Sequence, residues 1–385
     1  MTGIAIIALA ILVAVLGYLV TPDSTPMAND MSLQLTTKKP GFAIQMLLIK
    51  KNQEAHSTNI FEKMFVGDES HFTMIPITNY HFEGANIIVG EYSGFENHPD
   101  IKQKYNLANV VYSLSLNDSD VYVGKDFITF KTYEGVQMKK SVVELQKIAE
   151  EKNIITKKYL LGTDRFGRDL LSRLMIGTRI SLSIGFISVA ISLLLGLSLG
   201  AIGGYFRGRI DHFIMWLINV VWSIPTLLLV IAITMALGKG FWQVFVAVGL
   251  TMWVDVARVV RGQMFSIREM EFVEAGKALG YRNVRIIIKH ILPNIMGPII
   301  VISAANFASA ILLEAGLSFL GIGAQPPMPS WGTMIKENYG YIIVDAAYLA
   351  ILPGLAIMLM VLAFNLVGNG LRDAFDAKET MVEMR

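Results

Sequence analysis

Long apolar runs alternate with short polar stretches along most of the chain, and one broad stretch near the N-terminus departs from this pattern. A helix that crosses the hydrocarbon of a membrane needs about 20 mostly apolar residues. Six segments reach or approach that length, and we predict a transmembrane helix for each of them. They are residues 1–20, 180–203, 213–237, 241–260, 294–320 and 342–368.

The first apolar run, at residues 3–20, has two interpretations, an uncleaved span and a cleaved signal peptide. No basic residue precedes the run, no A-x-A site follows it, and the run is longer than the apolar part of a typical signal peptide. We therefore predict an uncleaved transmembrane helix.

Residues 21–158, between the first two predicted spans, have a different character. After a linker-like start, β-branched and aromatic runs are broken by turn residues, and "VYSLSL" alternates as a half-buried strand does. Residues 139–153 have helical spacing and strong helix formers. We predict an inserted, β-rich α+β domain with a C-terminal helix. Its role stays open between packing on its own transporter and binding a ligand or partner.

The composition agrees with a membrane protein. Of the 385 residues, 53% are hydrophobic and 17% are charged, whereas about 25% of the residues of soluble domains are charged. The sequence contains no cysteine, which excludes disulfides and thiolate metal sites. The histidines are scattered without ligand spacing, and the pairs His81/Glu83 and Glu96/His98 lack metal-site specificity, so we predict no metal site.

The placement of Lys and Arg predicts the orientation, because these residues are enriched in short cytoplasmic loops. The loop between the fourth and fifth spans is the richest in them, with Arg258, Arg261, Arg268, Lys277, Arg282, Arg285 and Lys289. We place this loop and the tail 378–385 in the cytoplasm, and residues 21–158 outside it. The arginines of residues 164–179 disagree with this rule, but they end a long domain, where the rule weakens.

The pattern of the loop 265–293 predicts two short helices separated by a glycine. Residues 270–279 carry an apolar side made by Phe272, Ala275 and Leu279, and Gly280 is placed to end that helix. Asn283 is a candidate cap for a second helix at 284–291. Pro293 suits the first turn of the next span. A basic interfacial loop and a docking element for a cytosolic partner both fit this pattern.

Glu274, Ala275, Gly276 and Gly280, followed after nine residues by His290-Ile291-Leu292-Pro293, resemble the EAA loop of binding-protein-dependent ABC importer permeases. The spacing of that motif, E-A-A-x₃-G-x₉-I-x-L-P, is kept. Two positions depart from it, Gly276 for the second alanine and His290 for isoleucine. The stretches "LGTDRFGRDLLSRLMIGTRISLSIG", "GGYFRGRIDHFIMW", "LEAGLSFLGIGAQPPMPSWGTMI" and "LPGLAIMLMVLAFNLVGNGLRDAFD" are similar to the dipeptide/oligopeptide (OppC/DppC-type) subfamily. The resemblance covers residues 159–377.

The resemblance implies an all-α polytopic membrane protein, a type I ABC importer permease with about six transmembrane helices. It does not cover the β-rich insert at residues 21–158, which the placement of Lys and Arg puts outside the cytoplasm. It implies a bacterial inner-membrane protein that forms half of a pore for peptides or a related solute. The implied partners are a homologous second permease subunit, two cytosolic ATPase subunits, an extracytoplasmic substrate-binding protein and membrane lipid, but no nucleic acid. ATP and Mg would be bound by the ATPase subunits, because this chain has no GxxxxGK[ST] sequence. The chain itself would not be an enzyme.

The resemblance also implies roles for individual residues. The residues that the resemblance implies in coupling to the ATPase are Glu274, Ala275, Gly276, Gly280, Arg282, Arg285, Leu292 and Pro293. A gate or interface role falls to Asp164, Arg168 and Asp169. Within the spans, Glu314 is the clearest carboxylate, either pore-lining or a paired structural group, and Asn306 could line the same path.

Three other classes of function fit the sequence less well than a permease does. A secondary transporter typically shows internal repeats and several intramembrane charges, whereas this sequence shows one clear intramembrane carboxylate and no repeat. A membrane-anchored receptor would leave the loop 265–293 without a function. An intramembrane enzyme needs catalytic pairs, which the predicted spans lack. The sequence does not identify the solute, because relatives of this subfamily carry peptides, nickel, glycans or peptide antibiotics.

Overall fold

The structure, a computed structural model, describes residues 1–53, 58–94, 100–115, 121–238 and 240–383, with the side chains described as far as residue 375. The chain forms two compact units. The membrane unit comprises Met1–Val15, Gly177–Ile342 and Ala347–Arg385, and the insert unit comprises Leu16–Ile176 and Ile343–Ala346. Glu96 and His98, named above, lie outside the described residues, as do His56 and Lys239.

The helices and strands are numbered in chain order. The helices are α1 Thr2–Leu16, α2 Ile60–Val66, α3 Leu107–Val111, α4 Val142–Ile148, α5 Leu170–Phe206, α6 Gly208–Trp222, α7 Thr226–Leu237, α8 Phe241–Ile267, α9 Glu271–Ala278, α10 Asn283–Ile286, α11 Met296–Phe319, α12 Trp331–Asn338 and α13 Tyr348–Glu383. The strands are β1 Phe42–Lys50, β2 Phe72–Glu83, β3 Asn86–Glu91, β4 Ile101–Asn106, β5 Val121–Val123, β6 Phe127–Lys131, β7 Gln137–Ser141 and β8 Ile154–Tyr159.

The insert unit contains two antiparallel sheets, one of five strands in the order β4-β3-β2-β1-β8 and one of three in the order β5-β6-β7. Strand β1 lies between β2 and β8, and its residues Met46–Leu48 are buried on both faces of the sheet, in agreement with the apolar sequence there. Leu47 packs into the core beneath α3 and α4, while Ile44 and Met46 pack with Leu35 and Tyr159. The predicted β-rich α+β composition of this region is therefore confirmed.

The predicted helix at residues 139–153 is shorter than expected. Residues 137–141 pair with β6, and Ser141 then caps α4 by accepting a hydrogen bond from the backbone N–H of Glu144 at 3.2 Å. The last residues form a π-helical turn to Asn153, whose buried side-chain amide donates to the carbonyls of Leu48 and Val110 at 2.8 and 2.9 Å. Strand β8, which follows at once, was not predicted.

In the membrane unit, the described helices include five that are long and apolar enough to cross a membrane, or six if the bent pair α6–α7 counts as one span. The expected single helix at 213–237 is wrong in one respect: α6 and α7 meet at an angle of 92°. Pro225 lies at the break, where it removes a backbone donor and disfavours helical geometry at the preceding residue. By contrast, α13 runs on through Pro353.

The other spans differ from the prediction mainly in length. Helix α5 extends beyond 180–203 at both ends, α8 runs to Ile267, and the last span begins at Tyr348 instead of residue 342. A short 3₁₀ segment at Tyr339–Ile343 occupies the expected start of that last span.

A stripe of glycines on α5 brings this helix close to α8. A Cβ atom on Gly196, Gly200 or Gly204 would lie 2.5–2.6 Å from Val256, Ala257 or Met264 of α8. Small residues four apart allow membrane helices to approach at backbone distance. The close contact therefore fixes α8, which leads into the loop 265–293, against the long helix α5.

Candidate functional sites: an exposed hairpin and a polar cavity

The loop between α8 and α11 folds as the predicted helical hairpin. Helix α9 ends at a Schellman motif, in which the N–H of Tyr281 donates to the carbonyl of Gly276 and that of Gly280 donates to Lys277. Gly280 has a φ of +75°, a conformation that other residues seldom adopt. The prediction that Gly280 ends this helix is confirmed.

The buried side of α9 is not the side that its apolar pattern suggested. Val273 and Gly276 are buried, whereas Phe272 and Leu279 are 39% and 70% exposed. Val273 packs in one cluster with residues of α5, α8, α10 and α11 and of the two turns between α10 and α11. These residues are Ala201, Tyr205, Val256, Val260, Met264, Ile286, Ile287, Ile291, Ile295 and Ile299. The hairpin core is thus continuous with the cores of α5, α8 and α11.

Gly276 faces this core and not the outer side of the hairpin. A Cβ atom at this position would lie 3.5 Å from Tyr281 and 3.7 Å from Ile286, which are ordinary contact distances. The alanine of the EAA pattern would therefore fit here, and the departure at Gly276 leaves the hairpin geometry intact.

The second half of the hairpin differs from the prediction at its start. Arg282 takes the N-cap position without a side-chain hydrogen bond, and the Asn283 side chain instead accepts a hydrogen bond from the hydroxyl of Tyr205 at 3.0 Å. Helix α10 continues into a π-helical turn at Ile287–Ile291. The 3₁₀ turn that follows contains Pro293 in its first turn.

His290, the other departure from the EAA pattern, stacks on the ring of Tyr281 with centroids 5.7 Å apart. The Arg285 guanidinium lies 4.1 Å from the centre of the Tyr281 ring. Leu292 is half-buried and Pro293 is exposed. Tyr281 therefore holds both halves of the hairpin together, a role that the sequence analysis did not identify.

The outer side of the hairpin combines charge with apolar side chains, and we call its residues the hairpin surface. All of its members are exposed to solvent. They are Phe272, Glu274, Ala275, Lys277, Leu279, Gly280, Arg282, Val284, Arg285, Ile288 and Lys289. Val284 and Ile288 are 65% and 56% exposed. Exposed apolar groups framed by charges are typical of a surface that another protein covers.

Glu314 lies in the packed interior of the membrane unit. Its side chain is fully buried, and its Oε1 accepts a hydrogen bond from the Ser318 hydroxyl at 2.6 Å. Ser318 in turn accepts from Ser330, which caps α12 through a capping box with Thr333. Glu314 therefore belongs to a polar network that joins α11 to the start of α12.

A cavity of about 340 Å³ opens at the break between α6 and α7. Trp222 and Thr226 line it at the break, Asp255 lines it from α8, and Asn306 and Ser309 line it from α11. Asn306 lines this cavity, whereas Glu314 is not among the cavity's lining residues, so the two side chains do not share it. The pore-lining role of either residue stays a prediction.

Asp255 is the functional candidate that sequence reasoning missed. It is an exposed carboxylate near the middle of α8, between the buried residues Val254 and Val256. The Arg258 guanidinium stacks 3.3 Å from the centre of the Trp222 ring. A charged residue inside the predicted span 241–260 was visible in the sequence, but that segment was interpreted from its many apolar residues.

Asp164, Arg168 and Asp169 form a buried polar cluster in the insert unit, with side chains at most 3% exposed. The Arg168 guanidinium donates to the Asp164 carboxylate at 2.7 Å, and Arg173 approaches the same oxygen at 3.5 Å. Burial raises the pKa of the Asp169 carboxyl, and hydrogen bonds from Ser172 oppose this shift in part. These residues hold the chain ahead of α5 and do not lie at an open surface.

The chain is similar to known membrane transport proteins. Residues 192–380 match the family model described as "Binding-protein-dependent transport system inner membrane component". The chain is 44% identical to the dipeptide transport system permease protein DppC of Alkalihalophilus pseudofirmus, over 56% of this chain and 71% of that protein. It is 42% identical to the glutathione transport system permease protein GsiD of Pectobacterium atrosepticum, over 57% of this chain and 72% of that protein. It is 38% identical to the oligopeptide transport system permease protein OppC of Bacillus subtilis, over 58% and 73% of the two chains.

Proposed function

Because the chain belongs to the family of binding-protein-dependent transport system inner membrane components and is a permease subunit of an ABC importer, we propose that it forms half of a pore for di- or oligopeptides. The observation that carries the peptide assignment is the similarity to permeases whose names specify dipeptides, oligopeptides and glutathione. These solutes share a peptide backbone. Uptake of a labelled dipeptide by the assembled transporter in lipid vesicles tests the proposal, and the absence of ATP-dependent peptide uptake would contradict it.

The proposed assembly contains four further components. A homologous permease subunit completes the pore, two cytosolic ATPase subunits bind ATP and Mg, and a substrate-binding protein outside the cytoplasm delivers the peptide. This chain would carry no catalytic activity of its own. The hairpin surface is where we place the ATPase, because it combines Glu274 with exposed apolar groups at the end of α8.

The coupling mechanism follows from the continuity of the hairpin core. A change of conformation needs a ligand state that favours each of two conformations. ATP would close the ATPase dimer and displace the hairpin. Val273 and Ile286 pack in the same cluster as Val260 of α8 and Ile299 of α11. A displacement of the hairpin would therefore reach the two helices that line the cavity with Asp255 and Asn306.

Leu279 provides a test of the docking site. Replacing Leu279, which is 70% exposed, by Asp should weaken the association with the ATPase by ten-fold to a hundred-fold, because burying a leucine contributes about 1.5–3 kcal/mol. The measurement is titration of purified ATPase onto the permease pair in lipid nanodiscs. Val143→Asp, at a 75% exposed residue of α4, is the matched control and should leave binding unchanged. Equal affinity for the Leu279→Asp variant and the wild type would rule out docking at this surface.

The absence of cysteine from the chain makes the proposed topology testable. We expect Val143→Cys in the insert unit to react with a membrane-impermeant maleimide in intact spheroplasts. Lys277→Cys in the hairpin should react only after the membrane is opened. The cysteine-free parent is the control for background labelling. Labelling of Lys277→Cys in intact spheroplasts would place the hairpin outside the cytoplasm and overturn the orientation.

A further inference from the structure

We propose that Asp255 is the group in the cavity that selects for a cationic centre on the passing solute, namely the ammonium group at the N-terminus of a peptide. The inference rests on the proposed peptide substrate. It assigns to one side chain the recognition of a chemical group that unmodified peptides share, whatever their side chains.

The position of the cavity supports this assignment. Asp255 and Asn306 both lie near the middle of helices that are candidate membrane spans, and the α6–α7 break lies between two halves of another. Membrane transporters commonly bind their solutes near the middle of the bilayer, beside discontinuous helices. The bend of 92° at Ser223–Pro225 provides such a discontinuity.

The burial pattern of α8 supports it as well. Val254, Val256 and Ala257 are buried against neighbouring helices, whereas Asp255 is exposed towards the cavity. A carboxylate at this depth is costly unless water or a positive charge meets it. Such a group is retained where it serves a pathway, so a cavity wide enough for solute is the environment in which it is stable.

Arg258, the charged neighbour of Asp255 on α8, contacts Trp222 and also interacts electrostatically with the Asp255 carboxylate. Arg258 follows Asp255 by less than one helical turn, and its guanidinium stacks on Trp222 at 3.3 Å. Trp222 and Asp255 both line the cavity. The indole therefore positions the Arg258 guanidinium beside the cavity wall that carries the carboxylate.

The rest of the lining suits a solute of variable side chains. Leu229, Met252, Leu312 and Leu313 provide apolar walls, while Asn306 and Ser309 add neutral polar groups. Ligand sites commonly combine a mostly apolar wall with a few polar groups that fix the orientation of the ligand. A single carboxylate in such a wall would orient a peptide by its ammonium end and tolerate its side chains.

The experiment compares a labelled dipeptide with its N-acetylated form, which lacks the positive charge, in vesicles that contain the assembled transporter. We expect the wild type to favour the free dipeptide by at least about ten-fold, which corresponds to about 1.4 kcal/mol. Asp255→Asn should reduce this ratio to about one, and Asp255→Glu should restore most of it. An unchanged ratio in Asp255→Asn, or equal uptake of both peptides by the wild type, would overturn the role of Asp255.

Other outcomes separate the competing explanations. If the wild type takes up neither peptide, the proposed peptide function fails and the inference fails with it. If Asp255→Asn lowers the uptake of both peptides equally and releases the second permease subunit on purification, Asp255 is a subunit contact and the inference is overturned.

A second measurement does not depend on transport. Ser309→Cys places the only thiol of the chain at the cavity. The free dipeptide should slow the reaction of this thiol with a methanethiosulfonate several-fold more than the acetylated dipeptide does. In the Ser309→Cys/Asp255→Asn double variant, both peptides should protect the thiol equally. Preferential protection that persists in the double variant would contradict the inference.

Discussion

Replacing Gly280 by arginine should abolish the coupling of ATP hydrolysis to uptake while the folded protein stays in the membrane. Gly280 has a φ of +75° and is exposed on the hairpin surface. A residue with a Cβ atom loses about 1–2 kcal/mol in this conformation, and the long charged side chain would project into the docked ATPase. We expect peptide uptake and solute-stimulated ATPase activity to fall by more than ten-fold, measured in lipid vesicles with equal amounts of permease.

Two controls separate backbone strain from the loss of docking. Gly280→Asn should keep most of the activity, because asparagine tolerates left-handed geometry. Gly41→Arg introduces the same strain at a φ of +85° in the insert unit, where no atom lies within 4 Å of the added Cβ, and should leave coupling intact. Wild-type uptake and ATPase stimulation in the Gly280→Arg variant would contradict the proposed coupling role of the hairpin.

Removal of the Asp164 carboxylate should produce the largest loss of stability. Asp164 is 1% exposed, and it receives hydrogen bonds from the Arg168 guanidinium and from the backbone N–H groups of Phe166 and Arg168. Breaking a buried ion pair by removing one partner costs about 3–5 kcal/mol, because the other charge stays buried without compensation. We expect Asp164→Ala to lower the midpoint of thermal unfolding of the purified protein in detergent by several degrees.

An exposed pair in the same unit provides the matched comparison. Lys39 and Asp345 lie 2.7 Å apart, but their side chains are 73% and 87% exposed. Because solvent screens such a pair, it contributes little to stability. Asp345→Ala should therefore shift the unfolding midpoint only slightly. Equal shifts for Asp164→Ala and Asp345→Ala would show that the buried cluster does not stabilise the insert unit.

The spans were predictable because the bilayer requires long apolar runs, but hydropathy does not register how such a run bends. Pro225 favours a kink in the span 213–237, but a kinked helix and a right-angled break have the same composition. Asp255 was overlooked for a related reason, because one carboxylate changes the mean hydropathy of a run of more than twenty residues only slightly. Glu314 was noticed, but its sequence could not distinguish a pore wall from the network with Ser318.

The hairpin was predicted from Gly280 and from the spacing of its motif, and the predicted turn is present. Its buried side was not predictable, because the apolar residues of α9 point in two directions. Tertiary packing selects Val273 for the core and leaves Phe272 and Leu279 exposed. Strand β8 was missed because "IITKKY" carries two lysines, which a strand at the edge of a sheet tolerates.

The glycine stripe of α5 has a mechanical consequence. At Gly196, Gly200 and Gly204 no side chain of α5 lies between the two helices, and the α5 backbone packs directly on Val256, Ala257 and Met264 of α8. Because bending one helix would require bending the other, we expect the two helices to move as one rigid body. A displacement of the hairpin end of this helix pair would then reach the level of Asp255 with little deformation of the two helices.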